Sequence, residues 1–183
     1  MKKIVITFGL ISGALMAAFM FATLPFHDKI GFETGGLVVG YTSMVLSFTL
    51  VFFGIRSYRE NVGGGTISFG RGVAVGLLIT LISCACYVAS WEILYVNFMP
   101  DFMDKYAAQV VGEMHKEGAP AAAVAAKEKQ LAAMKEWYKN PFVNVAMTFI
   151  EPFPVGLLMT LVSAAILRRR TPLPGASMAA QAV

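Results

Sequence analysis

Two acidic residues inside apolar segments are the side chains in this sequence with the clearest capacity for chemistry. Glu92 follows Gly72 by 20 residues, and Glu151 precedes Arg168 by 17 residues. At a helical rise of about 1.5 Å per residue, these separations are roughly 30 Å and roughly 26 Å. We therefore expect both carboxylates at similar height, near the outer edge of a bilayer core. Acids at such depth are costly and usually have a partner or a function.

Three arrangements are open to Glu92 and Glu151. They would share a proton, bind a divalent cation through their oxygens, or lie apart and face water. Aromatic residues typical of a membrane interface support the last alternative: Tyr87, Trp91, Tyr95 and Trp137. Pro152 and Pro154 predict a helix break beside Glu151, and several transporters build ion sites at such breaks.

The remaining reactive residue types do not form a catalytic set. Cys84 and Cys86 are two residues apart, so on a helix they point to nearly opposite sides and are interpreted as packing residues. His27 and His115 fall outside the apolar segments, which disfavours a haem held between helices. The sequence contains no Ser/His/Asp, Cys/His or HExxH arrangement. We therefore predict no catalytic residues, no cofactor and no metal ligand set, and an enzyme is disfavoured.

The composition indicates a membrane protein. The chain has 183 residues, of which 57% are hydrophobic and 14% charged, and its mean hydropathy is +0.65. These values are too apolar for an ordinary soluble domain. The net charge of +4 comes from basic residues beside apolar segments, so a nucleic-acid partner is not predicted. The expected partner is the lipid bilayer.

Four apolar segments predict an all-α fold, an integral membrane four-helix bundle. We place a single transmembrane domain at residues 1–170 and spans at about 4–24, 35–55, 72–98 and 144–167. The first span lacks a small residue at the required position before a cleavage site, so we expect it to stay uncleaved. A disordered tail is expected at 171–183.

An extramembrane helical hairpin is predicted at about 101–140, between the third and fourth spans. Apolar residues at helical spacing give each of its two helices one apolar side: Phe102, Tyr106, Val110 and Met114, then Leu131, Met134 and Tyr138. The pattern leaves open whether the hairpin lies on the membrane surface or caps the bundle.

Small residues one turn apart predict close helix packing in all four spans. The glycines concerned are Gly9, Gly13, Gly36, Gly40, Gly72, Gly76 and Gly156. Whether these ridges face inward or toward a second subunit is left open. Between the second and third spans we predict a cytoplasmic loop with basic residues and a flexible turn, made by Arg56, Tyr58, Arg59, Gly63, Gly64 and Gly65.

Basic residues near the span ends predict the orientation. With four spans they fall on one side: Lys2 and Lys3, Arg56, Arg59 and Arg71, and Arg168 to Arg170. Both termini are therefore expected in the cytoplasm.

Several stretches resemble a family of uncharacterised bacterial four-span membrane proteins, a domain of unknown function. They are KKIVITFGLISG, FFGIRSYRENVGGGTISFGRGVAVGLLITLIS, YVASWEILY and EPFPVGLLMTLVSAAILRR. The resemblance implies an inner-membrane protein with four helices and a variable outer hairpin. It implies no activity.

Three hypotheses for the function follow. The first is a non-enzymatic binding, scaffold or accessory subunit, working as a homo-oligomer or with a partner membrane protein. The second is a small proton- or cation-coupled transporter that uses Glu92 and Glu151. The third is a lipid-acting membrane enzyme in which the same acids serve as general acid and base.

Overall fold

The chain folds as a helical protein. A computed structural model describes residues 1–26 and 34–169, and its regular elements are helices. They are α1 (Lys2–Thr23), α2 (Thr34–Asn61), α3 (Phe69–Asn97), α4 (Phe102–Lys116), α5 (Ala121–Tyr138), α6 (Pro141–Ile150) and α7 (Pro152–Leu167), with a 3-10 turn at Leu24–Phe26. The predicted all-α class is confirmed. His27, Arg170 and the tail predicted at 171–183 lie outside the described residues.

Four helical segments are long and apolar enough to span a membrane. They are Lys2–Phe26, Gly35–Asn61, Phe69–Asn97 and Pro141–Leu167. The shortest has 25 residues, and about 20 helical residues cross the hydrocarbon core. The protein is therefore a multi-pass membrane protein, and the predicted four-helix bundle agrees with the structure.

The four spans are arranged so that α1 and α7 each pack against both α2 and α3, while α2 and α3 also contact one another. Fully buried apolar side chains fill the middle, among them Phe48, Val51, Ile55 and Ile79. The helices α4 and α5 pack on each other, and α6 packs against α3 and α5. We call the end near α4 and α5 the hairpin end, and the end near residues 62–68 the loop end.

Glycines lie where the spans come close to one another. A Cβ atom at Gly9 would lie 2.8 Å from the Cβ of Ile82, and one at Gly76 would lie 2.7 Å from Cγ2 of Thr160. Further sites of close approach are Gly13, at 2.5 Å from the Cβ of Cys86, Gly72, at 3.1 Å from the Cβ of Ala164, and Gly156, at 2.7 Å from Cζ of Phe48. These glycines face other helices of the same chain.

Gly40 does not pack against another helix of the same chain. A Cβ atom there would meet nothing within 4 Å, because Gly40, like Gly36, borders a cavity. The close approach of α2 occurs instead at Gly54, where a Cβ atom would lie 3.2 Å from Cγ of Phe8. The spacing of Gly36 and Gly40 did not reveal which side of α2 meets another helix.

Buried hydroxyl groups join the spans by hydrogen bonds. Ser12 Oγ donates to the carbonyl of Ser47 at 2.9 Å, and Ser83 Oγ donates to the carbonyl of Gly9 at 3.2 Å. Thr80 Oγ1 and Thr160 Oγ1 are 3.1 Å apart. In a membrane such bonds satisfy groups that would otherwise have no partner in the hydrocarbon.

The predicted loop between the second and third spans begins later than expected. Arg56, Tyr58 and Arg59 lie in the last turns of α2, which continues to Asn61. An ion pair one turn apart, Arg56 Nε to Glu60 Oε1 at 2.9 Å, is compatible with a helix that continues past the apolar segment. The charges mark the end of the apolar span and not the end of the helix.

The glycines form a tight connection at the loop end. Gly64 and Gly65 have positive φ values of 58° and 82°, a conformation that glycine adopts without steric cost. Ile67 and Arg169 then exchange two backbone hydrogen bonds of 2.9 Å each. Arg59 Nη1 also donates to the carbonyl of Leu167 at 3.4 Å. These contacts hold the end of α7 against the loop.

Candidate functional site

A cavity of about 410 Å³ lies in the hairpin half of the bundle. Residues of α1, α2, α3, α4, α5 and α6 line it, and so does Glu151 at the junction of α6 and α7. Two side chains on its α2 side, Leu37 and Tyr41, are 53% and 44% exposed. The cavity is therefore open on the flank of α2.

Methionines and aromatic residues make up much of the cavity lining. The methionines are Met16, Met20, Met44, Met99, Met103, Met134 and Met147. The aromatic residues are Phe19, Tyr41, Tyr87, Trp91, Phe102, Tyr106 and Tyr138. Methionine is flexible and polarisable, so it adapts to ligands of irregular shape. The lining suits an apolar or amphipathic molecule.

The hairpin forms part of the cavity wall. Phe102, Tyr106, Met134 and Tyr138, four members of its predicted apolar sides, line the cavity. The ring of Phe102 meets that of Trp91 edge to face, with centroids 4.8 Å apart. The hairpin therefore closes one side of the cavity.

Tyr138 links the hairpin to the acidic region of the cavity. Its ring centroid lies 6.2 Å from that of Tyr95 on α3. Burial raises the pKa of Tyr138, and the negative charge of Glu151 raises it further. The phenol of Tyr138 therefore stays protonated and uncharged at neutral pH.

Glu151 is the one charged side chain among the described residues that line the cavity. It lies between α6 and α7, where the helical hydrogen bonding of the fourth span is interrupted while the backbone of Glu151 keeps helical φ and ψ values of −70° and −58°. The hydroxyl of Tyr87 on α3 donates to its Oε2 at 3.0 Å. A carboxylate is thereby placed in an otherwise uncharged cavity.

Two prolines explain the interruption at Glu151. Pro152 begins α7 and Pro154 follows it in the first turn. Proline has no amide hydrogen, so the carbonyls four residues earlier, those of Thr148 and Ile150, lose their usual helical donors. Glu151 makes no side-chain capping bond to α7, since two of the first three residues of that helix have no N–H to offer.

Glu92 does not line this cavity. It is half-buried on α3, and its Oε1 is buried without a hydrogen-bond partner in the described part of the chain. Although Glu92 and Glu151 are predicted at similar height along their helices, they do not line the same cavity. Within residues 1–26 and 34–169, no group of three or more His, Cys, Asp or Glu side chains could hold a metal ion.

A small polar network supports the cavity wall where α6 meets α3. Trp91 Nε1 donates to Oδ1 of Asn144 at 3.2 Å, and Thr148 Oγ1 donates to the same oxygen at 3.2 Å. Asn144 is 2% exposed. This one amide oxygen fixes the side chains of two cavity residues, Trp91 and Thr148.

The family comparison matches most of the chain. Residues 7–169 match the family described as "Protein of unknown function (DUF4199)". The chain belongs to the DUF4199 family. The resemblance to an uncharacterised family is thereby confirmed. No curated protein and no solved structure matches the chain.

Sequence reasoning on this DUF4199 protein identified Glu151 but missed the cavity beside it. Tyr87 was interpreted as part of an interfacial belt, although it donates to Glu151. The available signal was the methionine content, 11 in 183 residues. Seven of these methionines line the cavity, but their positions along the chain do not show that they converge.

Proposed function

We propose that this protein is a non-enzymatic membrane protein that binds an amphipathic small molecule in the cavity at the hairpin end. The observation that carries the proposal is the cavity itself, about 410 Å³ in volume. Ligand pockets are usually apolar spaces of about 300–1,000 Å³ with a few placed polar groups. Methionine and aromatic side chains would hold the apolar part of the ligand, and Glu151 and Tyr87 its polar group.

The ligand would enter from the lipid. The flank where Leu37 and Tyr41 are exposed belongs to the first turns of a membrane span, so the opening would face the membrane near its outer edge. A molecule already dissolved in the bilayer would reach the cavity without crossing water.

The location proposed for the protein is the bacterial cytoplasmic membrane, with both termini in the cytoplasm. Basic side chains at the loop end support this orientation, and among the described ones are Lys2, Lys3, Arg56, Arg59, Arg71, Arg168 and Arg169. The cavity would then lie in the outer half of the membrane.

Assembly with a second copy or a partner membrane protein is a separate proposal. Most of the ridge glycines do not support it, because Gly9, Gly13, Gly72, Gly76 and Gly156 pack against helices of the same chain. Exposed apolar side chains on α7 offer another surface, with Leu158 61% and Ile166 66% exposed. A partner would displace lipid from these residues.

Coupled transport is the second candidate function, and one observation favours it. Glu151 lies in the cavity and directly before two prolines that remove helical hydrogen bonds from the fourth span, and transporters build ion sites where helical hydrogen bonding is lost. Flux in proteoliposomes that Glu151→Gln abolishes would establish transport. A lipid-acting enzyme has less support, because its second acid, Glu92, lies outside the cavity lining.

The test of binding uses a glycine that borders the cavity. At Gly40 a side chain has open space, with nothing within 4 Å of its Cβ, so Gly40→Leu would fill the cavity without a clash at that atom. Gly112 on α4 is equally open but does not line the cavity, and Gly112→Leu is the matched control.

Native mass spectrometry in mild detergent would compare these variants with the wild type. The expected result is a small molecule bound to the wild type and to Gly112→Leu, and lost from Gly40→Leu. Equal retention by all three proteins, or no bound molecule on any, would contradict the proposal.

A further inference from the structure

We propose that the cavity ligand is an organic cation, with its positive charge beside the Glu151 carboxylate and its apolar body among the aromatic and methionine side chains. An amine, a quaternary ammonium or a phosphonium with apolar substituents belongs to this class. The inference rests on the proposed function, because it names the chemistry of the molecule that the cavity binds.

The charge of Glu151 is not balanced by a basic side chain of the described residues. Their ion pairs all lie elsewhere: Arg56–Glu60, Arg59–Glu60, Lys105–Asp101, Lys135–Asp104 and Lys139–Glu136. The Glu151 side chain is exposed at the open cavity, and a carboxylate at membrane depth is stabilised when a positive charge accompanies it. A cationic ligand would supply that charge.

The backbone at the start of α7 offers the Glu151 carboxylate few hydrogen-bond donors. The helix that follows Glu151 begins with Pro152-Phe153-Pro154, so only one of its first three residues has an amide hydrogen. The described hydrogen bond to the carboxylate comes from Tyr87. The sequence Glu-Pro-Phe-Pro therefore leaves carboxylate oxygen atoms available to a ligand.

The aromatic lining favours a positive charge as well. Tyr87, Trp91 and Tyr138 line the same cavity as Glu151. The faces of such rings carry negative electrostatic potential and attract ammonium groups, with tryptophan the most effective. Aromatic ring faces and one carboxylate together form a site that should bind a cation more tightly than a neutral molecule of the same shape.

Two probes of similar shape separate the effect of the ligand's charge on binding from the effect of its shape. Methyltriphenylphosphonium and triphenylphosphine oxide both carry three phenyl rings on a tetrahedral phosphorus, but only the first is a cation. Their binding would be measured by isothermal titration calorimetry on the full chain in phosphatidylcholine nanodiscs, with empty nanodiscs as the blank. The comparison on the wild type requires no variant.

We expect the wild type to bind the cation about tenfold or more tightly than the neutral probe. Glu151→Gln keeps the size of the side chain and removes its charge, so this variant should bind the two probes with about equal affinity. Glu92→Gln removes an acid that is predicted at similar height but does not line the cavity, and it should keep the full preference.

Two results in which the probes bind would overturn the inference. One is equal binding of the two probes by the wild type, and the other is a cation preference that persists in folded Glu151→Gln. If both probes bind equally and Gly40→Leu weakens both, the ligand is not a cation but the proposed binding function stands. If neither probe binds, the proposed function fails together with the inference.

Discussion

At the scale of single residues, the surroundings of a carboxylate decide what it can bind. Glu151 faces a cavity and accepts a hydrogen bond from Tyr87, whereas Glu92 is half-buried on α3 with one oxygen unpartnered. The sequence predicted both heights from the rise of a helix. It did not predict their directions, because the rotation of each helix depends on packing.

Asn144 is the residue whose loss should most disturb the cavity wall. In Asn144→Ala the half-buried Trp91 Nε1 and the buried Thr148 hydroxyl lose the oxygen that accepts from both. We expect a decrease of about 1–3 kcal/mol in the free energy of unfolding, measured by denaturant titration in mixed micelles.

Asn97→Ala provides the control, since the Asn97 side chain is exposed and donates only to the carbonyl of Ile93 in its own helix. It should change the free energy of unfolding by no more than about 0.5 kcal/mol. Equal effects of the two substitutions would show that the Trp91–Asn144 contact does not support the wall.

At the scale of helices, close approach of α3 to α7 depends on Gly76. A Cβ atom at this position would lie 2.7 Å from Thr160 Cγ2 and 2.9 Å from Ile55 Cδ1. Gly76→Leu should therefore lower the free energy of unfolding by about 1–3 kcal/mol or more. Thermal unfolding in detergent would detect this as a lower midpoint.

Gly70→Leu is the matched control, because a Cβ atom at Gly70 in the same helix meets nothing within 4 Å. Its unfolding midpoint should stay close to that of the wild type. An unchanged midpoint for Gly76→Leu would contradict the packing role of this glycine.

The hairpin has an ion pair between its two helices, Lys135 Nζ with Asp104 Oδ1. The hydrogen bond to Asp104 raises the pKa of Lys135. Since a raised lysine pKa means that the folded state holds its proton more tightly, this contribution is present at neutral pH. It is lost as the pH rises through the folded pKa.

Asp104→Asn should lower the pKa of Lys135 toward its ordinary value, as measured by NMR titration of methylated lysines. Asp101→Asn removes the partner of Lys105 and should leave Lys135 unchanged. A Lys135 pKa that does not respond to Asp104→Asn would contradict the pairing of α4 with α5 at this point.

Apolar length and helical spacing made the elements predictable. Four apolar segments predicted the spans, and the spacing of Phe102 and Tyr106 predicted which side of α4 faces inward. The end of α2 was predicted too early, since Arg56 and Arg59 continue the helix. The cavity was not predictable, because Met16, Met44 and Met134 come together only after the helices pack.

At the scale of the whole molecule, the proposed orientation places the cavity in the outer half of the membrane. Cysteines introduced at two exposed positions would report it: Glu117 follows α4 at the hairpin end, and Val62 follows α2 at the loop end. In intact spheroplasts, Glu117→Cys should react with a membrane-impermeant maleimide, and Val62→Cys only after lysis. The reverse labelling pattern would show that the protein has the opposite orientation in the membrane.

The measurement that tests ligand binding in the cavity most directly is photolabelling with an alkyl amine that carries a diazirine. The full chain in lipid nanodiscs would be irradiated, digested and sequenced by mass spectrometry. The account predicts labels on cavity residues such as Met16, Met44 and Tyr87, and their loss in Gly40→Leu. Labels confined to lipid-facing residues such as Leu10 and Leu158, both exposed, would contradict it.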